Sequence, residues 1–181
     1  MMFKTIDSIM ERDPAAKSRL QVMLTYNGYH AIVYHRINHF LYDHKWYLLA
    51  SLGAFWAKHW TNIEIHPGAQ IGQRLFIDHG MGVVIGETAI IGDDVTLHHG
   101  VTLGNRGPSS GLRRHPKLGN HVMIGAQAVV LGAITIGDAA QVGAGSVVVD
   151  DVPANATVVG EKAHILKHYK MQAVAKRVVE E

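Results

Sequence analysis

The chain has 181 residues, which is enough for one ordinary domain with an accessory segment and too few for two domains of full size. Its formal charge is +2, from 17 Lys and Arg residues against 15 Asp and Glu, so a broad basic surface for nucleic acid is not expected. Cysteine is absent, which excludes disulfides, thiolate zinc sites and a Cys nucleophile, and 13 histidines are available for chemistry near neutral pH.

The first 61 residues carry the apolar spacing of α-helices, and residues 161–181 carry it again. Pro14 and Gly53 mark the predicted breaks in the first segment, because proline and glycine both disfavour a helix interior. The sequence therefore predicts helices at both ends of the chain.

The most apolar stretch, Trp46 to Ala57, is 12 residues long and is closed by Lys45 and Lys58. A bilayer span needs about 20 apolar residues, so this stretch predicts a buried helix; an interfacial membrane anchor is the alternative. The first 13 residues mix acidic and basic side chains and lack the apolar core of a secretory signal. We therefore expect a cytoplasmic protein without a membrane partner.

From residue 65 onward an aliphatic residue returns at every sixth position, with two shifts of phase. Thirteen positions follow this rule: Ile65, Ile71, Ile77, Ile85, Ile91, Leu97, Leu103, Leu118, Ile124, Val130, Ile136, Val142 and Val148. Glycine often comes next, and a small or β-branched residue often lies four positions further on, as at Ala69, Ala89 and Ser146. This period is the signature of a β-solenoid built from hexapeptide repeats.

Each six-residue unit is too short to bury its own apolar face, so stacked units must share one aliphatic column. We therefore expect three segments: helices over residues 1–61, a β-solenoid over residues 62–160 and a C-terminal helix over residues 161–181. The two helical segments would cap the column, whose end units otherwise expose apolar surface.

The repeat is interrupted twice. The first interruption, residues 78–82, adds two residues and contains His79. The second, residues 105–116, adds nine residues and contains His115. Insertions in a solenoid tend to lie on its working face, and packing does not demand a histidine at either position. We therefore expect His79 and His115 to be functional.

Four short motifs lie in or before the repeat region: Arg12-Asp13-Pro14-Ala15, Glu64-Ile65-His66-Pro67, Phe76-Ile77-Asp78-His79-Gly80 and Arg114-His115-Pro116. Together they resemble the motifs of serine O-acetyltransferases. With the hexapeptide series, the resemblance covers nearly the whole chain. It implies a left-handed parallel β-helix that assembles as a homotrimer, with a hexamer of two trimers as the larger possibility.

The resemblance also implies the catalytic residues. His79 would be the general base that takes the proton of the serine hydroxyl, which then attacks the thioester of acetyl-CoA directly. Glu64 would fix the tautomer of this imidazole and stabilise its protonated form. The product would be O-acetylserine, an intermediate of cysteine biosynthesis.

Serine is a small zwitterion, so its site needs carboxylates for the ammonium group and an arginine for the carboxylate. By the resemblance, Asp13 and Asp78 would bind the ammonium group and Arg114 the carboxylate. His115 would lie near the reacting hydroxyl as a further catalytic and substrate-binding residue.

Acetyl-CoA is expected as a co-substrate, and its long pantetheine arm suits a groove lined by small residues. The matching residues are Gly104, Gly125, Ala126, Gly143 and Ala144, with Lys162 placed for the nucleotide phosphates. A backbone N–H near Gly104 would stabilise the negative charge that develops on the thioester oxygen. The glycines also occupy the glycine position of the repeat, so a purely structural role is the alternative.

We expect no metal site. His98 and His99 are adjacent in a repeat and would point to opposite faces. The histidines at 30, 35 and 39 have helical spacing but lack a nearby carboxylate or Cys partner.

Two other functions stay open on the sequence alone. Gly104-Asn105-Arg106 and Gly160-Glu161-Lys162-Ala163-His164 look like patterns of sugar O-acetyltransferases of exopolysaccharide synthesis. A solenoid without catalysis, acting as a scaffold, is the other alternative. The C-terminus reads Val179-Glu180-Glu181 and lacks the terminal Ile that docks into the sulfhydrylase of cysteine synthesis, so we do not expect that complex.

Overall fold

The structure, a computed structural model, describes residues 2–107 and 113–163. Four α-helices come first: α1 (Met2–Arg12), α2 (Arg19–Thr25), α3 (Asn27–Asp43) and α4 (Tyr47–Thr61). The predicted N-terminal helices are therefore confirmed. The C-terminal helix predicted over residues 161–181 lies almost wholly outside the described residues, and residues 161–163 are not helical.

Fourteen strands of two or three residues follow within the described part of the chain. They are β1 (Glu64–Ile65), β2 (Gln70–Ile71), β3 (Phe76–Ile77), β4 (Val84–Ile85), β5 (Ile90–Ile91), β6 (Thr96–Leu97), β7 (Thr102–Gly104), β8 (Lys117–Leu118), β9 (Met123–Ile124), β10 (Val129–Leu131), β11 (Thr135–Ile136), β12 (Gln141–Val142), β13 (Val147–Val148) and β14 (Thr157–Val158). Each of β1 to β13 contains one of the thirteen repeat aliphatics, and all thirteen are buried. The predicted six-residue period is confirmed.

The strands form three parallel sheets. The first sheet has the order β1-β4-β7-β10-β13, the second β11-β8-β5-β2 and the third β14-β12-β9-β6-β3. Because pairing joins each strand up to β10 to the strand three places later, three successive strands make one coil of the chain, and the coils stack. β12 pairs with β14, two places later, at the end of the stack. At the last coil a single bridge from Ile136 to Val152 replaces a strand of the second sheet.

The turns between sheets stack into three corners. The first corner joins the first sheet to the second and includes residues 66–69, 86–89, 105–107, 113–116 and 132–134. The second corner joins the second sheet to the third and includes residues 72–75 and 92–95. The third corner joins the third sheet to the first and consists of residues 78–83, 98–101, 125–128 and 143–146. Both interruptions of the repeat therefore lie at corners, and at different ones.

The core is the aliphatic column inside the coils, continuous from Ile63 to Val152. The small residues predicted four positions after the aliphatics, such as Ala69, Ala89 and Ser146, are also buried. Burying an Ile, Leu or Val side chain stabilises a fold by roughly 1.5–3 kcal/mol. The column therefore holds a rigid frame from which the corner residues project.

Two predictions about α4 are wrong. Gly53 does not break a helix; it lies inside α4, where a Cβ atom would overlap the side chain of Asn38 on α3, so glycine permits the two helices to approach. The apolar stretch does form a helix, but its large side chains lie on the surface, with Leu48 73% and Phe55 61% exposed. The described helices include none that combines the length and apolar character of a membrane span.

Candidate active site

Three of the predicted site residues meet at the third corner. Asp13, Asp78 and His79 line one cavity of about 250 Å³, together with Tyr26 and Asn27. Asp13 follows α1, Tyr26 and Asn27 lie at the junction of α2 and α3, and the other two follow β3. The cavity thus forms where the helical segment packs on the first coil.

Asp13 is held by the chain around it. Its Oδ1 accepts a hydrogen bond from the backbone N–H of Ala15 at 2.8 Å, and its Oδ2 accepts one from the hydroxyl of Tyr26 at 2.7 Å. Burial and then this bond to Asp13 raise the pKa of Tyr26 to about 12, so the phenol stays protonated and keeps donating. The carboxylate therefore has a fixed direction at the cavity wall.

His79 stands out from the surface in an unusual backbone conformation. Its φ is 57°, in the left-handed region, and its side chain is 76% exposed. Residues other than glycine seldom adopt this φ, and such residues are concentrated at functional sites. Turns of the repeat without an insertion hold other non-glycine residues at nearly the same φ, such as Asp94 at 58° and Gln127 at 61°. The conformation of His79 therefore belongs to the turn, and its exposure is what distinguishes the side chain.

The Asp78 carboxylate lies between two histidines. Its Oδ2 is 3.7 Å from Nε2 of His79 and 3.3 Å from Nδ1 of His98, on the next coil. The ring of His99 meets the ring of His79 edge-on at 6.1 Å. His98 and His99 thus both lie beside the predicted base, which the sequence did not indicate.

Glu64 lies on β1 and is half-exposed. Its carboxylate pairs with Nζ of Lys58 on α4. Within the described chain, the carboxylate within 4 Å of His79 is that of Asp78. The predicted bond between Glu64 and His79 is therefore not formed in this arrangement.

Arg114 and His115 lie at the first corner, at the end of the long loop. The guanidinium of Arg114 is 2.6 Å from Oε2 of Glu87, whose Oε1 accepts a bond from the hydroxyl of Tyr42 at 2.9 Å. His115 is buried, and burial, then the positive charge of Arg114, lowers the pKa of its imidazole. Both residues are fixed by neighbours in the same corner.

The two clusters are on different corners of one chain. The first sheet separates them, and one side of a coil is about five extended residues, or ~16 Å at ~3.3 Å per residue. A serine molecule is much shorter than this. One chain therefore does not bring Arg114 and His115 to Asp13, Asp78 and His79.

The predicted acetyl-CoA residues fall in two places. Gly125-Ala126 and Gly143-Ala144 stack on adjacent coils of the third corner, where a Cβ on Gly125 would lie 2.6 Å from the amide nitrogen of Ala144. Gly104 ends β7 at the first corner. Lys162 is exposed and follows β14. The small residues at the third corner share an edge with His79.

Sequence reasoning missed several residues around these clusters. They are Tyr26, Tyr42, Glu87, Thr88 and His98. Glu87 and Thr88 occupy the ordinary turn of a repeat, so no break in the pattern marks them.

The described residues contain no group of three or more His, Asp or Glu that could hold a metal ion.

Comparison with known families identifies the repeat. The family model described as bacterial transferase hexapeptide (six repeats) matches residues 115–150. A serine acetyltransferase of Helicobacter pylori is 52% identical over 159 residues, which are 88% of this chain and 92% of the relative. A serine acetyltransferase of Bacillus subtilis is 54% identical over 160 residues, which are 88% of this chain and 73% of the relative.

Solved structures agree with the sequence matches. Serine acetyltransferase from Brucella abortus in complex with coenzyme A superposes with a TM-score of 0.86 at 42% identity, over 91% of this chain and 66% of that one. Neisseria gonorrhoeae serine acetyltransferase in complex with serine gives a TM-score of 0.83 at 45% identity, over 91% and 68%. The chain thus spans about two thirds of the length of these solved proteins.

Proposed function

The chain belongs to the serine acetyltransferase family, and from this membership we propose that it transfers an acetyl group from acetyl-CoA to the hydroxyl of serine. The observation that carries the proposal is the cavity shared by Asp13, Asp78 and His79, which offers two carboxylates for an ammonium group beside one histidine. Sugars lack an ammonium group, so this cavity favours an amino-acid acceptor over the sugar alternative. A scaffold would not need these residues together.

His79 acts as the general base. Its imidazole takes the proton of the serine hydroxyl while the hydroxyl oxygen attacks the thioester carbon, and the C–S bond of acetyl-CoA breaks. The proton then passes from the imidazolium to the departing thiolate, so the histidine is restored. Asp13 and Asp78 bind the serine ammonium group and fix the hydroxyl next to the base.

Glu64 supports the base from the outer surface of the first sheet. Lys58 holds its carboxylate near the third corner in the described chain. When the active site forms, we propose that Glu64 turns to the imidazole of His79 and stabilises its protonated form. The longer side chain of Glu, compared with Asp, provides the reach for this movement.

The active site needs a second subunit. Because Arg114 and His115 lie about one side of the coil away from His79, we propose that a neighbouring chain supplies them in a homotrimer. Arg114 then binds the serine carboxylate as a bidentate partner, and His115 contacts the reacting hydroxyl. The coils take the left-handed sense of the hexapeptide acyltransferases, and a hexamer would join two such trimers.

Acetyl-CoA lies along the third corner. Gly125-Ala126 and Gly143-Ala144 lie on the same edge as His79, and glycine at 125 and 143 lets adjacent coils stack closely. We propose that the pantetheine arm runs over the outer surface of these small residues. Gly104 of the neighbouring chain and Lys162 complete this binding surface, Lys162 by pairing with the phosphates. We also propose a cytoplasmic location and a role in cysteine biosynthesis, since O-acetylserine is the product.

An acceptor screen tests the proposed function. Release of free CoA from acetyl-CoA is measured with serine, homoserine and simple sugars, and serine should give the highest kcat/KM. His79→Ala should lower kcat by roughly 10²–10⁴-fold, the usual contribution of a general base. His59→Ala, which changes an exposed histidine on α4, is the matched control and should leave kcat unchanged. Equal rates for wild type and His79→Ala would overturn the proposal.

A further inference from the structure

Just before β8, two backbone N–H groups of the first corner lie outside the strands and form no hydrogen bond of a sheet. These are the N–H groups of Arg114 and His115, and both donate to Oγ1 of Thr88, at 2.9 and 3.1 Å. Thr88 lies in the same corner one coil earlier, between β4 and β5. A single side-chain oxygen therefore holds the backbone of both residues.

The imidazole of His115 is held by the same threonine. Its Nδ1 is 3.1 Å from the backbone N of Thr88 and 2.9 Å from Oγ1. A backbone N–H can only donate, so Nδ1 is an acceptor, and a neutral imidazole then carries its proton on Nε2. Burial, then the charge of Arg114, lowers the pKa of His115 and favours this neutral form.

The ring has little freedom to turn. His115 is 7% exposed, and a Cβ atom at Gly86 would overlap its Cδ2 and Nε2, so the ring lies flat against the backbone there. A flipped ring would place a carbon atom against Thr88 and lose both bonds to Nδ1. Nε2 makes no hydrogen bond within the described part of the chain, so its proton is available to a ligand.

The side chain of Arg114 is fixed as well, by Glu87 at 2.6 Å. Thr88 follows Glu87 directly in the chain. Successive residues of one turn thus hold the guanidinium of Arg114, its backbone and the ring of His115. The turn acts as one unit on the two residues that the proposed function assigns to the acceptor.

We propose that Thr88 is the positioning residue of the acceptor site: its hydroxyl and amide hold Arg114 and His115 in place and keep the proton of His115 on Nε2, where it donates to the acceptor's hydroxyl oxygen. The inference rests on the proposed function. As His79 removes the hydroxyl proton, the Nε2–H group of His115 stabilises the negative charge that grows on that oxygen. His115 gains and loses no proton in this step.

Two variants of Thr88 separate its hydroxyl from its shape. Thr88→Val keeps the volume but removes the acceptor, and it should lower kcat/KM for serine about tenfold or more, since two amides and an imidazole lose a partner. The KM for acetyl-CoA should stay within about twofold, because the hydroxyl is not part of that groove. Thr88→Ser restores the hydroxyl and should recover most of the lost activity.

The matched control is Thr157→Val, at an exposed threonine on β14, which should behave as wild type. Wild-type kcat/KM for serine in Thr88→Val would overturn the inference. The inference would also be overturned if Thr88→Ser lost as much activity as Thr88→Val. The hydroxyl group would then not be the cause of the loss.

A second measurement needs neither a variant of Thr88 nor activity. The ¹⁵N shifts of the His115 ring in the wild-type protein, identified by their loss in His115→Gln, report which nitrogen carries the proton. The Nε2–H tautomer is expected, and the Nδ1–H tautomer would overturn the inference even if Thr88→Val fails to fold. If the wild type does not acetylate serine, the proposed function fails, while the tautomer still tests the role of Thr88.

Discussion

At the two corners, the orientation of single side chains is set by hydrogen bonds and ion pairs to their neighbours. Asp13 has Ala15 and Tyr26, while Arg114 has Glu87, and each of these contacts is a hydrogen bond or ion pair of 2.6–2.8 Å. Charge-assisted bonds of this length are stronger than neutral ones. The groups that would bind a zwitterion are thus oriented before any ligand arrives.

His35 is a buried histidine whose titration bears on stability. It is 2% exposed on α3, it stacks on His39, and neither ring nitrogen has a hydrogen-bond partner among the described residues. Burial, then the charges of His39 and Arg36, lowers its pKa to about 3, from an ordinary value of 6.5, and His66 adds to this effect. The folded state therefore holds the neutral form.

We predict that His35 makes the protein sensitive to acid. Because its pKa is depressed in the folded state, its contribution is complete above pH 6.5 and is lost as the pH falls from 6.5 toward 3, by up to ~1.4 kcal/mol per pH unit. Urea unfolding gives the free energy of unfolding at pH 7 and at pH 5. Its decrease between these two pH values should be about 2 kcal/mol smaller in His35→Phe than in wild type. His59→Phe, at an exposed site, is the control; equal pH dependence in wild type and His35→Phe would contradict the prediction.

At the scale of elements, α1 is fixed to the coils by one arginine. Nη1 of Arg12 donates to the backbone oxygens of Asp94 and Val95 at 3.1 Å and to Oγ1 of Thr96 at 3.0 Å. Nη2 of the same side chain donates to Ser8 on α1 at 3.1 Å. Since Asp13 is the next residue, this contact sets the position of Asp13 against Asp78 in the third corner.

We predict that Arg12→Ala weakens both stability and serine binding. The variant removes the guanidinium donor from the partly buried backbone oxygen of Asp94 and Oγ1 of Thr96, so the free energy of unfolding should fall by about 2–4 kcal/mol. The KM for serine should rise, while the KM for acetyl-CoA should change little. Arg19→Ala removes an exposed ion pair with Asp7 and should cost at most about 1 kcal/mol. Denaturant unfolding and steady-state kinetics measure both; equal effects of the two variants would argue against the anchoring role.

At the scale of the whole molecule, the stacked coils carry the two halves of the site on separate corners. The third corner holds Asp13, Asp78 and His79, and the first corner holds Arg114 and His115. The first sheet lies between the two corners. The aliphatic column makes this separation rigid, because packed cores do not deform continuously. We therefore propose that association of subunits, rather than closure of one chain, completes the site.

Mixed trimers test this arrangement. His79→Ala and Arg114→Ala should each be nearly inactive, but when equal amounts are unfolded together and refolded, about one quarter of the sites should combine intact residues from two subunits. Activity with serine should return to about that fraction of wild type. A mixture that stays as inactive as its components would show that each chain uses its own Arg114.

The amount of this structure that the sequence predicts differs between its parts. The period of six directly predicted thirteen buried aliphatics, because burial inside a coil permits only apolar side chains at those positions. The interruptions made His79 and His115 candidate site residues, since an insertion breaks the pattern visibly. The sequence did not indicate Glu87 and Thr88, because their turn keeps the six-residue period. Their partners are also distant in the chain: Arg114 lies 27 residues after Glu87 and 26 after Thr88, and His115 lies 27 after Thr88.

By itself the sequence determined the repeat, the helices before it and the family, because periodicity and short motifs are local properties of the chain. Tertiary structure decided which residues share a corner. It placed Glu64 on Lys58, set His98 beside Asp78 and left the outer face of α4 exposed. Such contacts depend on how the coils stack and on how the helices dock, and side chains far apart in sequence meet only after the apolar column has formed.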